Sequence, residues 1–213
     1  MTERSLVSPR LRQRVRGGAE PIAAAFGRLG LTPNALTVIG FGGSCLAAAL
    51  AAGGQWLPAG IASLVFAAFD LLDGALARAT GRVSRFGAFL DSSLDRAGEA
   101  VVYAGLVVGL VASPVGNAAP LAGLTVLAMG AALLVSYTRA RAESLGFGGD
   151  VGVAPRPERV VILGAGLIAS GLSGGPAGGP WLQAGIGLLF ILSTITVLQR
   201  IRHVRAQARE KEA

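Results

Sequence analysis

One cysteine, one histidine and 12 acidic residues in a chain of 213 leave little room for several kinds of chemistry. A lone thiol, Cys45, cannot close an internal disulfide, and its place in an apolar stretch predicts a small buried hydrophobe. The sole imidazole, His203, lies in a basic tail and reads as solvated or lipid-facing rather than catalytic. Charge is missing altogether from three stretches, Leu29–Phe69, Ala100–Thr138 and Val160–Gln199. With 52% hydrophobic residues, 15% charged ones and a mean hydropathy of +0.60, the composition argues against a soluble domain and for a membrane protein. No nucleic-acid partner is expected.

Each uncharged stretch is about 40 residues long, enough for two spans of roughly 20 residues joined by a tight turn. Turn signals fall mid-stretch: Gly53-Gly54 with Pro58, then Pro114 to Pro120, then Ser173 to Pro180. The reading is therefore all-α, a polytopic bundle of six transmembrane helices. The spans run from about Ala35 to Ala52, Leu57 to Arg78, Phe86 to Val111, Leu121 to Arg141, Glu158 to Leu172 and Trp181 to Arg200, with Asn34 able to cap the first. Every Lys and Arg lies outside the uncharged stretches, so the positive-inside rule puts both termini in the cytoplasm and the hairpin tips outside. A cleaved signal peptide fits poorly, because five more spans follow the first.

Three segments are expected. Residues 1–28 form a basic N-terminal segment in which Arg10, Arg12, Arg14 and Arg16 precede an apolar run, as in an amphipathic helix lying among anionic headgroups. Residues 29–202 form the transmembrane domain. Residues 203–213 form a cytoplasmic tail whose Arg205, Arg209 and Lys211 read as an anchor for anionic lipid.

Acidic side chains interrupt this pattern at one place. Asp70 and Asp73 are three positions apart at the end of the second span, and Asp91 and Asp95 are four apart at the start of the third. Each pair lies along one face of its helix, and a short loop lets the pairs converge. Ionised groups at membrane depth cost several kcal/mol unless paired or metal-bound, so a function is the default explanation. Four gathered carboxylates need a compensating charge. Oxygen donors with no His or Cys nearby select Mg²⁺ or Mn²⁺. Two such ions would suit a pyrophosphate. Gly74 and Gly87 leave room for a ligand beside the carboxylates.

The residues Asp70, Asp73, Gly74, Ala77, Arg78, Gly87, Asp91 and Asp95 fit D-x2-D-G-x2-A-R-x8-G-x3-D-x3-D at every fixed position. This resembles the signature of the CDP-alcohol phosphotransferase family, whose six-span architecture the chain also shares. The resemblance implies an enzyme of phospholipid synthesis at the cell membrane. It implies metal ligation by Asp70, Asp73, Asp91 and Asp95, with Asp95 also the general base on the acceptor hydroxyl. It implies contacts to a CDP-linked lipid from Asn34, Ala35, Leu36, Thr37, Gly74, Arg78, Ser84 and Gly87, and a homodimer. Arg78 has an independent case as a cation beside a pyrophosphate.

Family members differ in acceptor alcohol. Around Arg139, Arg141, Arg156, Arg159 and Arg200 the chain is similar to the actinobacterial branch that makes phosphatidylinositol phosphate, which implies CDP-diacylglycerol and inositol phosphate as substrates. By that likeness Arg139, Arg159 and Arg200, joined by Arg141 and Arg156, bind the acceptor phosphate. The chain has Arg139 where the branch more often has Lys, and Asn34 where Asp is usual. Glycerol 3-phosphate is the alternative acceptor, since it too is an anion. A metal-ion transporter would carry polar residues through the full depth of the bilayer, and these spans are apolar in their outer halves.

Overall fold

The computed structural model describes residues 18, 21–113, 118–174 and 179–212. The expected Arg10 to Arg16 helix lies outside the described residues. Residues 21–28 are helical, and they lead into α1 (Pro33–Ala52), α2 (Trp56–Ala67), α3 (Phe69–Ala79), α4 (Arg85–Val111), α5 (Ala118–Ser144), α6 (Arg156–Leu172) and α7 (Pro180–Glu212). The chain is all-helical, as its composition requires of backbone that must satisfy its own polar groups in lipid. Among the described residues, four helical stretches are long and apolar enough to cross a membrane: Pro33–Ala52, Trp56–Ala79, Ala118–Ser144 and Pro180–Lys211. The other two expected spans do not qualify by length and composition alone. α6 has 17 residues, and the first half of α4 carries Asp91, Asp95, Arg96 and Glu99.

Three expectations need correction. The second span is not one unbroken helix, because Leu71 N–H bonds to Ala68 O in a three-residue step that separates α2 from α3. Thr32, not Asn34, caps α1, accepting from Ala35 N–H at 3.2 Å with Pro33 at the first helical position. α7 continues through the basic tail residues to Glu212. Its Ala, Gln, Arg, Glu and Lys residues are strong helix formers, and loss of apolarity does not end a helix. Cys45 is exposed rather than buried, on the outward face of α1 with Leu46 and Val38.

Helix packing inside a bilayer gains nothing from hiding apolar surface, so close contact between small residues has to supply the attraction. α4 lies against α1 along such a stripe. A Cβ on Gly98 would fall 2.9 Å from Ser44 Oγ, one on Gly105 would collide with the Ala48 backbone, and one on Gly109 would collide with Ala51. Around this seam Trp56, Tyr103, Leu106, Leu110, Leu163, Leu167, Leu182 and Ile186 form the main core. A second cluster, Ala23, Leu36, Leu72, Ala75 and Leu76, sits under the 21–28 helix, with Phe26 against Phe69 at 6.2 Å between ring centroids. Ile61, Val65, Leu127, Ile191 and Leu198 face outward, where lipid would meet them.

Gly105→Leu is expected to destabilise the protein by about 2–3 kcal/mol through overpacking against Ala48. Gly123→Ala, where a Cβ meets nothing within 4 Å, should leave stability unchanged or raise it by up to ~1 kcal/mol. Thermal melting of both variants in one lipid system tests this; equal losses would remove the α1–α4 seam as the cause.

Candidate active site

The turn between α3 and α4 sets the geometry. Gly81 takes a φ of 66°, which places Arg82 N–H on Ala77 O at 2.9 Å and Gly81 N–H on Arg78 O at 3.4 Å. This is a glycine C-terminal stop that satisfies the last carbonyls of α3. Ser84 then starts α4, its hydroxyl accepting from Gly87 N–H at 2.9 Å. The reversal is short enough to bring the acidic first turn of α3 beside the second turn of α4.

Asp70, Asp91 and Asp95 converge there, each offering a carboxylate oxygen within 4.8 Å of the others. Three hard oxygen donors at this spacing fit a Mg²⁺- or Mn²⁺-sized ion. Asp73 falls outside this group but lines the same cavity as Asp91. It is buried, and its Oδ2 accepts from Thr37 Oγ1 on α1 at 2.6 Å. The structure thus groups three of the four aspartates and ties the fourth to α1 beside them. Arg156 reaches the triad from α6, pairing with Asp70 and lying 3.0 Å from Asp95 Oδ1, while Arg96 is 3.8 Å from Asp95 Oδ2.

A cavity of about 340 Å³ opens beside the triad. Of the residues expected to hold a CDP-linked lipid, Asn34, Thr37, Gly74, Arg78, Ser84 and Gly87 line it; Asp73, Asp91 and Arg82 line it as well. Ala35 does not line it, and Leu36 is buried in the second cluster, so both can serve only through the backbone path of α1. Gly87 is needed for the shape: a Cβ would fall 3.0 Å from Ser84 Oγ and 3.2 Å from Asn34 Oδ1. At Gly74 a Cβ would fall 3.3 Å from Arg78 Nη1, so the glycine leaves the guanidinium room to fold along α3. Arg78 and Arg82 on one side and the start of α4 at Ser84 on the other border the cavity.

The five expected acceptor arginines divide. Arg159 is 1% exposed and makes a two-pronged pair with Glu99 of α4, Nε to Oε1 at 2.8 Å and Nη2 to Oε2 at 2.7 Å, while Nη1 donates to Ala154 O. Arg200 is buried as well, donating from Nε to Val151 O at 2.8 Å and to Val135 O. Arg139, Arg200 and Arg159 each contact the stretch from Asp150 to Ala154, through Asp150, Val151 O and Ala154 O respectively, so these three share one neighbourhood. Arg139 also pairs with Glu143 at 2.9 Å and Asp150 at 2.8 Å. Arg141 stands apart, exposed and 3.5 Å from Ser144 Oγ, and Arg156 belongs with the carboxylates. Sequence reasoning assigned no role to Glu99, and its place as the last charge before the apolar half of α4, one turn after Asp95, was the available signal.

The family model for CDP-alcohol phosphatidyltransferase matches residues 30–200. The chain is 40% identical over 187 residues to phosphatidylinositol phosphate synthase of Mycobacteroides abscessus, covering 87% of this chain and 82% of that protein. It is 40% identical over 194 residues to archaetidylinositol phosphate synthase of Pyrococcus horikoshii, covering 90% and 93%. The crystal structure of Mycobacterium tuberculosis phosphatidylinositol phosphate synthase with CDP-DAG bound matches with a TM-score of 0.79 at 36% identity, covering 87% of this chain and 92% of that one. The same enzyme in complex with manganese and citrate matches with a TM-score of 0.80 at 36% identity, covering 87% and 88%.

The Glu99–Arg159 pair generates a stability prediction. Glu99→Gln leaves a buried guanidinium without its counter-charge, and the expected loss is about 3–5 kcal/mol. Replacing both, as Glu99→Leu with Arg159→Met, should recover most of it. Melting of the variants in lipid separates the two cases, and a Glu99→Gln protein as stable as the parent would show the pair to be dispensable.

Proposed function

Because the chain belongs to the CDP-alcohol phosphatidyltransferase family, we propose that it transfers the phosphatidyl group of CDP-diacylglycerol to inositol phosphate, releasing CMP and phosphatidylinositol phosphate. The observation that carries the reaction type is the Asp70, Asp91 and Asp95 triad set against a cavity walled by Arg78 and the start of α4. Inositol phosphate is favoured as acceptor because the relatives from Mycobacteroides and Pyrococcus share it in their names while differing in lipid. It is favoured also by Arg139, Arg159 and Arg200 all contacting the 150–154 stretch, a grouping that suits a phosphate dianion.

In this reading Asp70, Asp73, Asp91 and Asp95 hold two Mg²⁺ or Mn²⁺ ions. When bound, the ions neutralise the pyrophosphate and stabilise the departing phosphate. Arg78 and the α4 N-terminus hold the CDP-lipid pyrophosphate in the 340 Å³ cavity, with Asn34, Thr37, Gly74, Ser84 and Gly87 shaping the nucleotide's place. Asp95 sits at the inner edge of the triad, 13% exposed, and takes the proton of the acceptor hydroxyl as its oxygen attacks the lipid-bearing phosphorus. The P–O bond to CMP breaks as the new P–O bond forms. Arg139, Arg159 and Arg200 orient the acceptor phosphate, and Arg156 borders both halves of the site. In the same reading α4 and α6 complete six spans, the site and both termini face the cytoplasm, a side to which the positive-inside rule assigns basic clusters, and the working unit is a homodimer.

Purified protein in lipid, supplied with CDP-diacylglycerol and Mg²⁺ or Mn²⁺, should release CMP with inositol phosphate and not with glycerol 3-phosphate; the opposite preference overturns the acceptor and leaves the family. Removing divalent metal with a chelator should stop turnover. Asp95→Asn should lower kcat by about 10²–10⁴-fold with nucleotide binding retained, and a variant that keeps its turnover removes Asp95 as the base.

A further inference from the structure

We propose that Gln207 and Lys211, on the part of α7 that follows the apolar span, are positioning residues for the acceptor side of the active site and act through the 145–155 loop. The inference rests on the reading that Arg139, Arg159 and Arg200 receive a phosphorylated alcohol. The loop joins α5 to α6, has no regular structure and contains four glycines in eleven residues. Such a segment loses more entropy on ordering than any other kind, so an external template has to hold it.

α7 is that template. Ala154 N–H donates to Thr196 Oγ1 at 3.0 Å, and Arg200 Nε donates to Val151 O at 2.8 Å. Gln207 engages both polar groups of one peptide residue, its Oε1 accepting from Gly148 N–H at 2.8 Å and its Nε2 donating to Gly148 O at 2.9 Å. Lys211 Nζ donates to Gly146 O at 2.9 Å and lies 4.7 Å from the Phe147 ring centroid. As the helix runs from 196 to 211 the loop runs from 154 back to 146, antiparallel and in register. At about 100° per residue the four helix positions fall within about 60° of one another, a single stripe.

What the loop carries makes the stripe functional. Asp150 ties Arg139 at 2.8 Å, Val151 O and Ala154 O accept from Arg200 and Arg159, and the loop ends at the first turn of α6, which presents Arg156 and Arg159. All three acceptor arginines therefore contact a segment that α7 pins. Thr196 and Arg200 hold the end near the bundle, while Gln207 and Lys211 hold the distal end, touching neither carboxylates nor cavity. Their loss should loosen the arginines and leave the metal and nucleotide side alone.

The test uses the full chain in lipid with Gln207→Ala, Lys211→Ala and the double variant, alanine being chosen because it keeps α7 helical. The KM for the acceptor is expected to rise about fivefold in Gln207→Ala and about tenfold or more in the double variant, with kcat and the KM for CDP-diacylglycerol within about twofold of the parent. Gln207→Glu keeps the acceptor for Gly148 N–H but loses the donor to Gly148 O, and should fall between. Hydrogen exchange of the amides of residues 146–151 should quicken while that of α1 to α4 is unchanged. Unchanged exchange overturns the brace itself. Faster exchange with an unaltered acceptor KM overturns its link to the arginines, and a parallel rise in both KM values shows general destabilisation instead. A parent protein that turns over no phosphorylated alcohol would defeat the acceptor reading, and the exchange measurement would still decide the brace.

Discussion

Charge at the edge of a bilayer must be answered locally, and in this protein that requirement joins helices that apolar packing alone would leave indifferent to one another. Asp70 on α3 and Asp95 on α4 meet Arg156 of α6, and one turn further along α6 Arg159 meets Glu99, one turn further along α4. The two pairings are in step, so they set the register of α6 against α4 as well as neutralising it. Arg200 does the same between α7 and α5 with carbonyl oxygens in place of carboxylates. Each guanidinium offers several donors in a rigid fork, which is why arginine, and not lysine, suits these bridging positions.

Small residues make the approach possible. The stripe of Gly98, Gly105 and Gly109 lets α4 lie almost backbone to backbone on α1, and that closeness carries through to the membrane edge, where Gly87 admits Asn34 and Thr37 meets Asp73. α1 thereby forms one wall of the cavity although it contributes no charge. Stabilising the α1–α4 seam and building the nucleotide side of the site are one structural act. A side chain that pushed the helices apart would disturb both.

The reaction then divides between two regions with different supports. The carboxylates and the cavity rest on α1, α3 and α4, whose geometry follows from one glycine stop and one serine cap over a short reversal. The arginines proposed to receive the acceptor rest on α5, α6, α7 and a glycine-rich loop that α7 contacts through Gln207, Thr196 and Arg200. A site assembled this way can keep its phosphoryl chemistry while its acceptor side diverges, in keeping with a family whose members share a signature and differ in the alcohol they use.

Much of the architecture is legible in the amino-acid sequence. The absence of charge over three long stretches determined a helical membrane bundle, because only such stretches can satisfy their backbone in lipid, and the spacing of Asp70, Asp73, Asp91 and Asp95 determined where the chemistry lies, because helical periodicity places residues three and four apart on one face. Long-range pairing was decided by the tertiary structure alone. Nothing in the order of residues says that Asp73 bonds to Thr37 while the other three aspartates converge, that Arg156 goes to the carboxylates and Arg159 to Glu99, or that Gln207 and Lys211, read as part of a basic lipid-anchoring tail, grip a loop about 60 residues away. Periodicity reports which residues share a face. Only packing reports what that face meets.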